Sequence, residues 1–120
     1  MPRLLFLLLH STAAPERTVT GLHTARAAQA AGSEVHLWLT DEGVRLAVAA
    51  VAETLSDADD ADSAVRTLEA LVENGSLLYA DRAAFEARQY TEDALRPGAS
   101  LVAAGHLPAL IEQGLTPVTL

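Results

Sequence analysis

The sequence contains no cysteine and no lysine in its 120 residues. Without a thiol the chain cannot form disulfides, bind metal through thiolates or use a cysteine nucleophile. Without lysine it cannot form a Schiff base or grip a phosphate as a P-loop lysine does. The thiol and amine nucleophiles of covalent catalysis are therefore excluded.

Basic residues are also few, because 8 arginines stand against 16 acidic residues and leave a formal net charge of -8. Such a charge repels nucleic-acid phosphates and anionic lipids, so we expect neither nucleic acid nor membrane as a partner. Aromatic residues make up only 4% of the chain, whereas 50% of it is hydrophobic. This composition favours one globular domain with closely packed helices.

Signatures of cofactors, metals and export are missing as well. The seven glycines never show the Gly-x-Gly-x-x-Gly spacing of dinucleotide-binding loops. The aspartates between Asp57 and Asp62 lack the glycine and the closing glutamate of a calcium loop. The apolar run Leu4–Leu9 is shorter than a signal-peptide core or a membrane span. We therefore expect no cofactor, no metal and a cytoplasmic location, with Leu4–Leu9 as a buried strand.

Apolar runs alternate with helical spacings along the chain. The pattern predicts strands at 4–9, 35–39, 76–80, 100–103 and 115–119, helices at 15–31, 41–51, 65–74, 81–90 and 107–113, and an exposed acidic connection at 56–62. Such alternation is typical of a parallel sheet between two helical layers. We therefore predict one domain over 1–120, an α/β/α three-layer sandwich with a mostly parallel five-stranded sheet. Because Pro117 cannot donate a backbone hydrogen bond, the last strand is predicted at an edge.

In open parallel sheets, ligands bind beyond the carboxyl ends of the strands. The polar and small residues that follow the predicted strands are the candidates for such a site: His10, Ser11, Thr12, Thr40, Asp41, Gly43, Asp81, Arg82 and His106. With free N–H groups of helix ends beside them, they could hold a small anion or a polar metabolite. Alternatively, Thr12, Asp41 and Asp81 are helix caps, which explains these residue types without a ligand.

A catalytic interpretation of the same residues stays open. His10 and His106 follow different strands and could act as an acid–base pair, with Asp41 or Asp81 orienting one of them. A serine hydrolase is disfavoured, because Ser11 lacks the Gly-x-Ser-x-Gly turn that exposes such a nucleophile.

Three segments together resemble the DsrE/DsrF-like family of small sulfur-trafficking proteins. They read His-Leu-Trp-Leu-Thr-Asp-Glu-Gly-Val at 36–44, Leu-Leu-Tyr-Ala-Asp-Arg-Ala-Ala-Phe-Glu-Ala-Arg-Gln-Tyr at 77–90 and Leu-Arg-Pro-Gly-Ala-Ser-Leu-Val-Ala-Ala-Gly at 95–105. The resemblance implies a flavodoxin-like fold and a homo-oligomer, either a trimer or a hexamer. It also implies a persulfide-carrying cysteine after the strand at 76–80, which would fall at Asp81 or Ala84 here.

Because neither position holds sulfur, we expect a module without persulfide transfer and without catalysis of its own. It would bind a small ligand, with Ala84 added to the candidate residues, or support an oligomeric complex linked to sulfur metabolism. An enzyme that uses a histidine–aspartate rim at the carboxyl edge of the sheet is the alternative hypothesis.

Overall fold

The structure is a computed structural model, and it describes residues 2–9, 15–48 and 58–119. Five strands form one sheet in the order β4-β3-β2-β1-β5, and every pairing in it is parallel. Their bounds are Arg3–Leu8 (β1), Glu34–Leu39 (β2), Leu78–Asp81 (β3), Ala99–Val102 (β4) and Thr116–Thr119 (β5). The predicted parallel α/β sheet is confirmed, and β5 with Pro117 lies at an edge, as expected from the missing N–H.

Helices connect successive strands. They span Pro15–Ala30 (α1), Ala58–Glu73 (α2), Arg82–Ala87 (α3) and His106–Glu112 (α4), and two 3-10 helices span Asp41–Ala47 (η1) and Glu92–Ala94 (η2). α1 ends near Gly32 and α2 near Gly75, and both glycines have positive φ angles. These are the left-handed positions that glycine adopts easily at helix ends, as the sequence indicated.

The second predicted helix is wrong in type and in length. Residues 41–47 form a 3-10 helix instead, and Val48 then makes an antiparallel bridge to Leu95. Asp41 has a φ of 51°, which no α-helical residue adopts, and Gly43 and Val44 are weak helix formers. The rest of the predicted helix, from residue 49 onward, lies outside the described residues.

The acidic connection predicted at 56–62 is wrong from residue 58 onward, because α2 begins at Ala58. The aspartates at 59, 60 and 62 thus stand in its first turns. The helical spacing that predicted a start near residue 65 therefore extends further toward the N-terminus in the structure.

The two faces of the sheet are covered unequally. Alternate residues of the strands point to one face, where α1, α2, η1 and α3 pack against Phe6, Leu37 and Leu78. The intervening residues point to the other face, where α4 packs against Leu5 and Trp38. Within the described residues, this second face carries only the seven residues of α4.

A buried arginine fixes the end of η1. Arg96 is 8% exposed, and its Nε and Nη2 donate to the carbonyl oxygens of Leu46 (2.6 Å) and Val48 (3.0 Å). Its backbone N–H also donates to Ala47 O at 2.8 Å. Arg96, which lies three residues before β4, therefore donates hydrogen bonds to three successive carbonyl oxygens at the point where η1 ends.

We predict that Arg96→Met lowers the free energy of unfolding by about 2–4 kcal/mol, since two buried carbonyls lose charged donors. Arg88→Met is the control, because Arg88 is 31% exposed and forms a longer ion pair with Asp41. We expect the control to lose no more than about 1 kcal/mol. Urea unfolding measures both, and equal losses would contradict the role given to Arg96.

Candidate functional site

Thr40 joins the carboxyl ends of three neighbouring strands. Its N–H donates to Leu8 O at the end of β1 (3.2 Å), and its hydroxyl donates to Asp81 Oδ2 at the end of β3 (3.0 Å). Thr40 itself follows β2 directly. The structure thus brings two of the sequence-predicted site residues, Thr40 and Asp81, together, and they bond to each other.

The second carboxylate oxygen of Asp81 is also occupied. Oδ1 accepts the backbone N–H of Ala83 at 3.1 Å, which makes Asp81 the N-cap of α3. The capping interpretation of Asp81 is therefore confirmed. Both oxygens hold protein groups, one on β2 and one on α3.

Asp41 has a different partner. Its carboxylate accepts from Arg88 Nη2 at 3.3 Å, and Arg88 Nη1 donates to Ala84 O at 3.2 Å. Asp41 is therefore not a helix cap; Arg88 instead links the start of η1 to α3. Sequence reasoning missed Arg88, because an arginine in the turn after a short helix carries no signal of its partner.

Gly43 allows the closest backbone approach at this edge. The residue is buried, and a Cβ added to it would collide with the Leu8 carbonyl oxygen and lie 2.7 Å from the carbonyl carbon. The close neighbour of Gly43 is therefore the protein backbone of β1.

Arg82 is exposed and paired with two carboxylates. Its Nη1 lies 3.4 Å from Glu86 Oε1 and 3.2 Å from Glu92 Oε1. The hydrogen bond to Glu92, with that to Glu86, raises the pKa of Arg82 above its usual value. An anion would have to compete with both glutamates for this guanidinium.

His106 lies on the face of the sheet that carries α4. Its ring centroid is 5.4 Å from that of Tyr79, which also contacts His36 at 6.2 Å and Trp38 at 6.4 Å. Within residues 2–9, 15–48 and 58–119, His106 forms no hydrogen bond with Asp41 or Asp81. The described residues therefore do not assemble the histidine–aspartate pair that the sequence allowed.

His36 has a defined tautomer. Its Nδ1 accepts the backbone N–H of Leu77 at 2.9 Å, so the ring proton is on Nε2, which faces Glu34 Oε2 at 3.3 Å. Glu34 also accepts from Arg3, and this bond lowers the pKa of Glu34. Sequence reasoning set His36 aside as a strand residue, and the structure gives it a local role between β2 and β3.

His10, Ser11 and Thr12 lie outside the described residues, so their place in a site stays a prediction. The described part of the chain has surface grooves of a size to hold a small molecule. One of about 440 Å³ is lined by Glu16, Arg17, Thr20 and Gly21, and one of about 320 Å³ by Leu68, Glu69, Val72, Glu73, Arg96 and Pro97. Neither groove is lined by any of the predicted site residues that the structure describes, namely Thr40, Asp41, Gly43, Asp81, Arg82, Ala84 and His106.

The described residues contain no cluster of three or more histidine and acidic side chains able to hold a metal ion. No helix among them is long and apolar enough to cross a membrane.

Comparisons with known proteins agree with this architecture. A sequence profile of the DsrE/DsrF-like family matches residues 3–119. The chain superposes on the protein of unknown function MTH1491 from Methanobacterium thermoautotrophicum with a TM-score of 0.79 and 14% identity, covering 100% of both chains. It superposes equally on the ychN protein of E. coli, with a TM-score of 0.79, 15% identity and 100% coverage of both.

A more distant likeness is to the solution structure of Tm0979 from Thermotoga maritima, with a TM-score of 0.53, 22% identity and 92% of each chain covered. No curated protein sequence matches the chain. At these identities the structural neighbours establish the fold, which is the predicted flavodoxin-like three-layer arrangement.

We predict that Gly43→Ala lowers the free energy of unfolding by at least about 2 kcal/mol, because the new methyl group overlaps the Leu8 carbonyl. Gly105→Ala is the matched control, since a Cβ there meets nothing within 4 Å and Gly105 also has a negative φ. The control should change stability by no more than about 0.5 kcal/mol. Thermal or urea unfolding measures both variants. A free energy of unfolding that Gly43→Ala leaves unchanged would refute the close contact.

Proposed function

Because the chain belongs to the DsrE/DsrF-like family, we propose that it is a binding and assembly module of that family. In this proposal it works without carrying a persulfide on its own side chains. It forms a homo-oligomer, a trimer or a hexamer, and binds a small polar ligand near the carboxyl edge of the sheet. Its link to sulfur metabolism is the one that the family supplies.

The residues of the loop after β3 are the main support for this proposal. The resemblance puts the sulfur-bearing cysteine of relay members at residue 81 or 84, and here those residues are aspartate and alanine. Asp81 uses both carboxylate oxygens to hold Thr40 and Ala83. Ala84 packs partly buried against the main core. Both positions therefore contribute to stability, which supports a scaffold that has no reactive group at this loop.

The charges at this edge favour a polar metabolite over a simple anion. Arg82 is engaged with Glu86 and Glu92, and Arg88 with Asp41. The groove of about 440 Å³ beside Glu16 and Thr20 lies on the first turns of α1, the helix that follows β1. Its volume suits a small metabolite, since ligand pockets measure about 300–1,000 Å³.

Among the described residues, no observation favours the alternative of an acid–base enzyme. It needs a histidine oriented by an aspartate, yet Asp41 and Asp81 have other partners and the ring of His106 lies against Tyr79. We therefore keep the binding and assembly module as the proposed function.

Light scattering combined with native mass spectrometry tests the proposal on gently purified protein. We expect a mass of three or six times 12.6 kDa, with any small molecule lost when the same sample is denatured. A monomer without bound ligand at every micromolar concentration would overturn both parts. An oligomer without ligand would leave assembly alone as the function.

A second prediction concerns residue 84, which follows β3. Ala84 is the third residue of α3, and Arg88 Nη1 bonds its carbonyl. The start of the helix and the guanidinium of Arg88 both favour a thiolate over a thiol. We therefore expect the thiol of the Ala84→Cys variant to have a pKa below the usual value of about 8.5, in a protein that folds normally. The pH dependence of alkylation of this sole cysteine measures it, with Ser100→Cys, which is exposed on β4, as the control. A pKa at or above that of the control would show that residue 84 has no thiolate-stabilising environment.

A further inference from the structure

A groove of about 320 Å³ lies at the edge of the sheet where the strands begin. One side of it is the second half of α2, the helix that leads into β3, and the other side is the segment that leads into β4. We call it the α2 groove, and it is lined by Leu68, Glu69, Val72, Glu73, Arg96 and Pro97. Because the sheet is parallel, this edge is opposite to the one that holds Thr40 and Asp81.

Both sides of the α2 groove are held in place by the protein itself. Arg96 is 8% exposed and is fixed to η1 by its hydrogen bonds to the carbonyl oxygens of Leu46 and Val48. Gly98 has a φ of 86°, and a Cβ added to it would lie 2.7 Å from Val72 Cγ1, so the backbone after Pro97 packs directly on α2. A ligand would therefore enter a groove that is already formed, which lowers the entropy cost of binding.

The floor of the α2 groove is apolar and its rim is acidic. Leu68 is fully buried and Val72 is half-buried, whereas Glu69 and Glu73 are exposed. The two glutamates stand four residues apart on one helix, where like charges repel each other. They also lie toward the C-terminal end of α2, where the helix dipole is negative, and the last turn of α2 contains no basic residue.

The chain supplies no partner for these two carboxylates in the part that the structure describes. Neither Glu69 nor Glu73 forms a hydrogen bond or an ion pair with residues 2–9, 15–48 or 58–119. Arg96, which also lines the groove, directs its Nε and Nη2 to the carbonyl oxygens of η1 instead. By contrast, five carboxylates elsewhere pair with an arginine: Glu34, Asp41, Glu42, Glu86 and Glu92.

These features indicate the class of ligand. Two carboxylates and an apolar floor offer too few oxygen atoms for a calcium ion, which takes about six to eight. A protein partner would need apolar surface beyond the groove, yet the two large hydrophobic side chains that are most exposed in the described residues, Leu77 and Ile111, do not line it. The volume of the groove instead matches the lower end of small-molecule pockets, about 300 Å³.

We infer that the α2 groove binds a small organic cation, an ammonium group carried on a compact apolar body. The ammonium group pairs with Glu69 and Glu73, and the apolar body packs on Val72 and Pro97. The net charge of -8 attracts such a cation to the protein. This site goes beyond the proposed function, because it lies at the other edge of the sheet and requires neither the oligomer nor the ligand at the carboxyl edge.

Phenethylammonium is a suitable probe, and 2-phenylethanol is its neutral counterpart of nearly the same shape. Titration of ¹⁵N-labelled protein should show saturable shifts of the backbone amides of Val72 and Gly98 with the amine. The alcohol should bind about three- to tenfold more weakly, the difference that two partly screened ion pairs contribute. Equal affinities for the two probes, or shifts confined to other parts of the chain, would overturn the inference.

A charge-matched pair of variants tests the role of the rim. The Glu69→Gln/Glu73→Gln variant should bind the amine about three- to tenfold more weakly and leave the affinity for the alcohol unchanged. The Glu86→Gln/Glu112→Gln variant is the control, because it removes the same charge at two exposed residues outside the groove. We expect this control to bind the amine as the wild type does, and circular dichroism checks that both variants are folded.

The outcomes keep this inference apart from the proposed function. Equal losses of affinity in the two variants would overturn the α2 groove, because the attraction would then come from the overall charge of the chain. The proposed oligomer and its ligand at the carboxyl edge would still stand. A monomeric wild type that binds the amine through Glu69 and Glu73 would support the α2 groove and contradict the proposed assembly.

Discussion

The hydrogen bonds of Thr40 hold the carboxyl edge of the sheet together. One residue donates to the end of β1 through its backbone and to the end of β3 through its hydroxyl. Gly43 can then press against the Leu8 carbonyl because it has no side chain, and Asp81 can begin α3. The positions of η1 and α3 both depend on this small set of contacts, which leaves Asp81 no unoccupied carboxylate oxygen.

The same contacts give a structural role to residue 81, one of the two positions at which the family resemblance implies a cysteine. At residue 81 a carboxylate stabilises the loop by accepting one hydrogen bond on each oxygen, from Thr40 and from Ala83. The ligand site that we propose lies instead near the groove on α1.

Sequence reasoning recovered the layered fold because the apolar runs at Leu4–Leu9 and Val35–Leu39 admit only buried strands in a chain of this size. It failed where two structures share one pattern: the valines and glycine after Thr40 suit a 3-10 helix as well as an α-helix. Side-chain partners were beyond its reach. Nothing in the sequence separates an Asp41 that caps a helix from one that pairs with Arg88, because that choice depends on how η1 packs against α3.

Asp81 links the end of β2 to α3 through its two hydrogen bonds, and a double-mutant cycle tests this role most directly. Thr40→Val, Asp81→Ala and the double variant are compared by urea unfolding. We expect a coupling free energy of about 0.5–1.5 kcal/mol between the two side chains, as for other hydrogen-bonded pairs. Effects that add to within about 0.3 kcal/mol would contradict the account, because Asp81 would then be independent of Thr40.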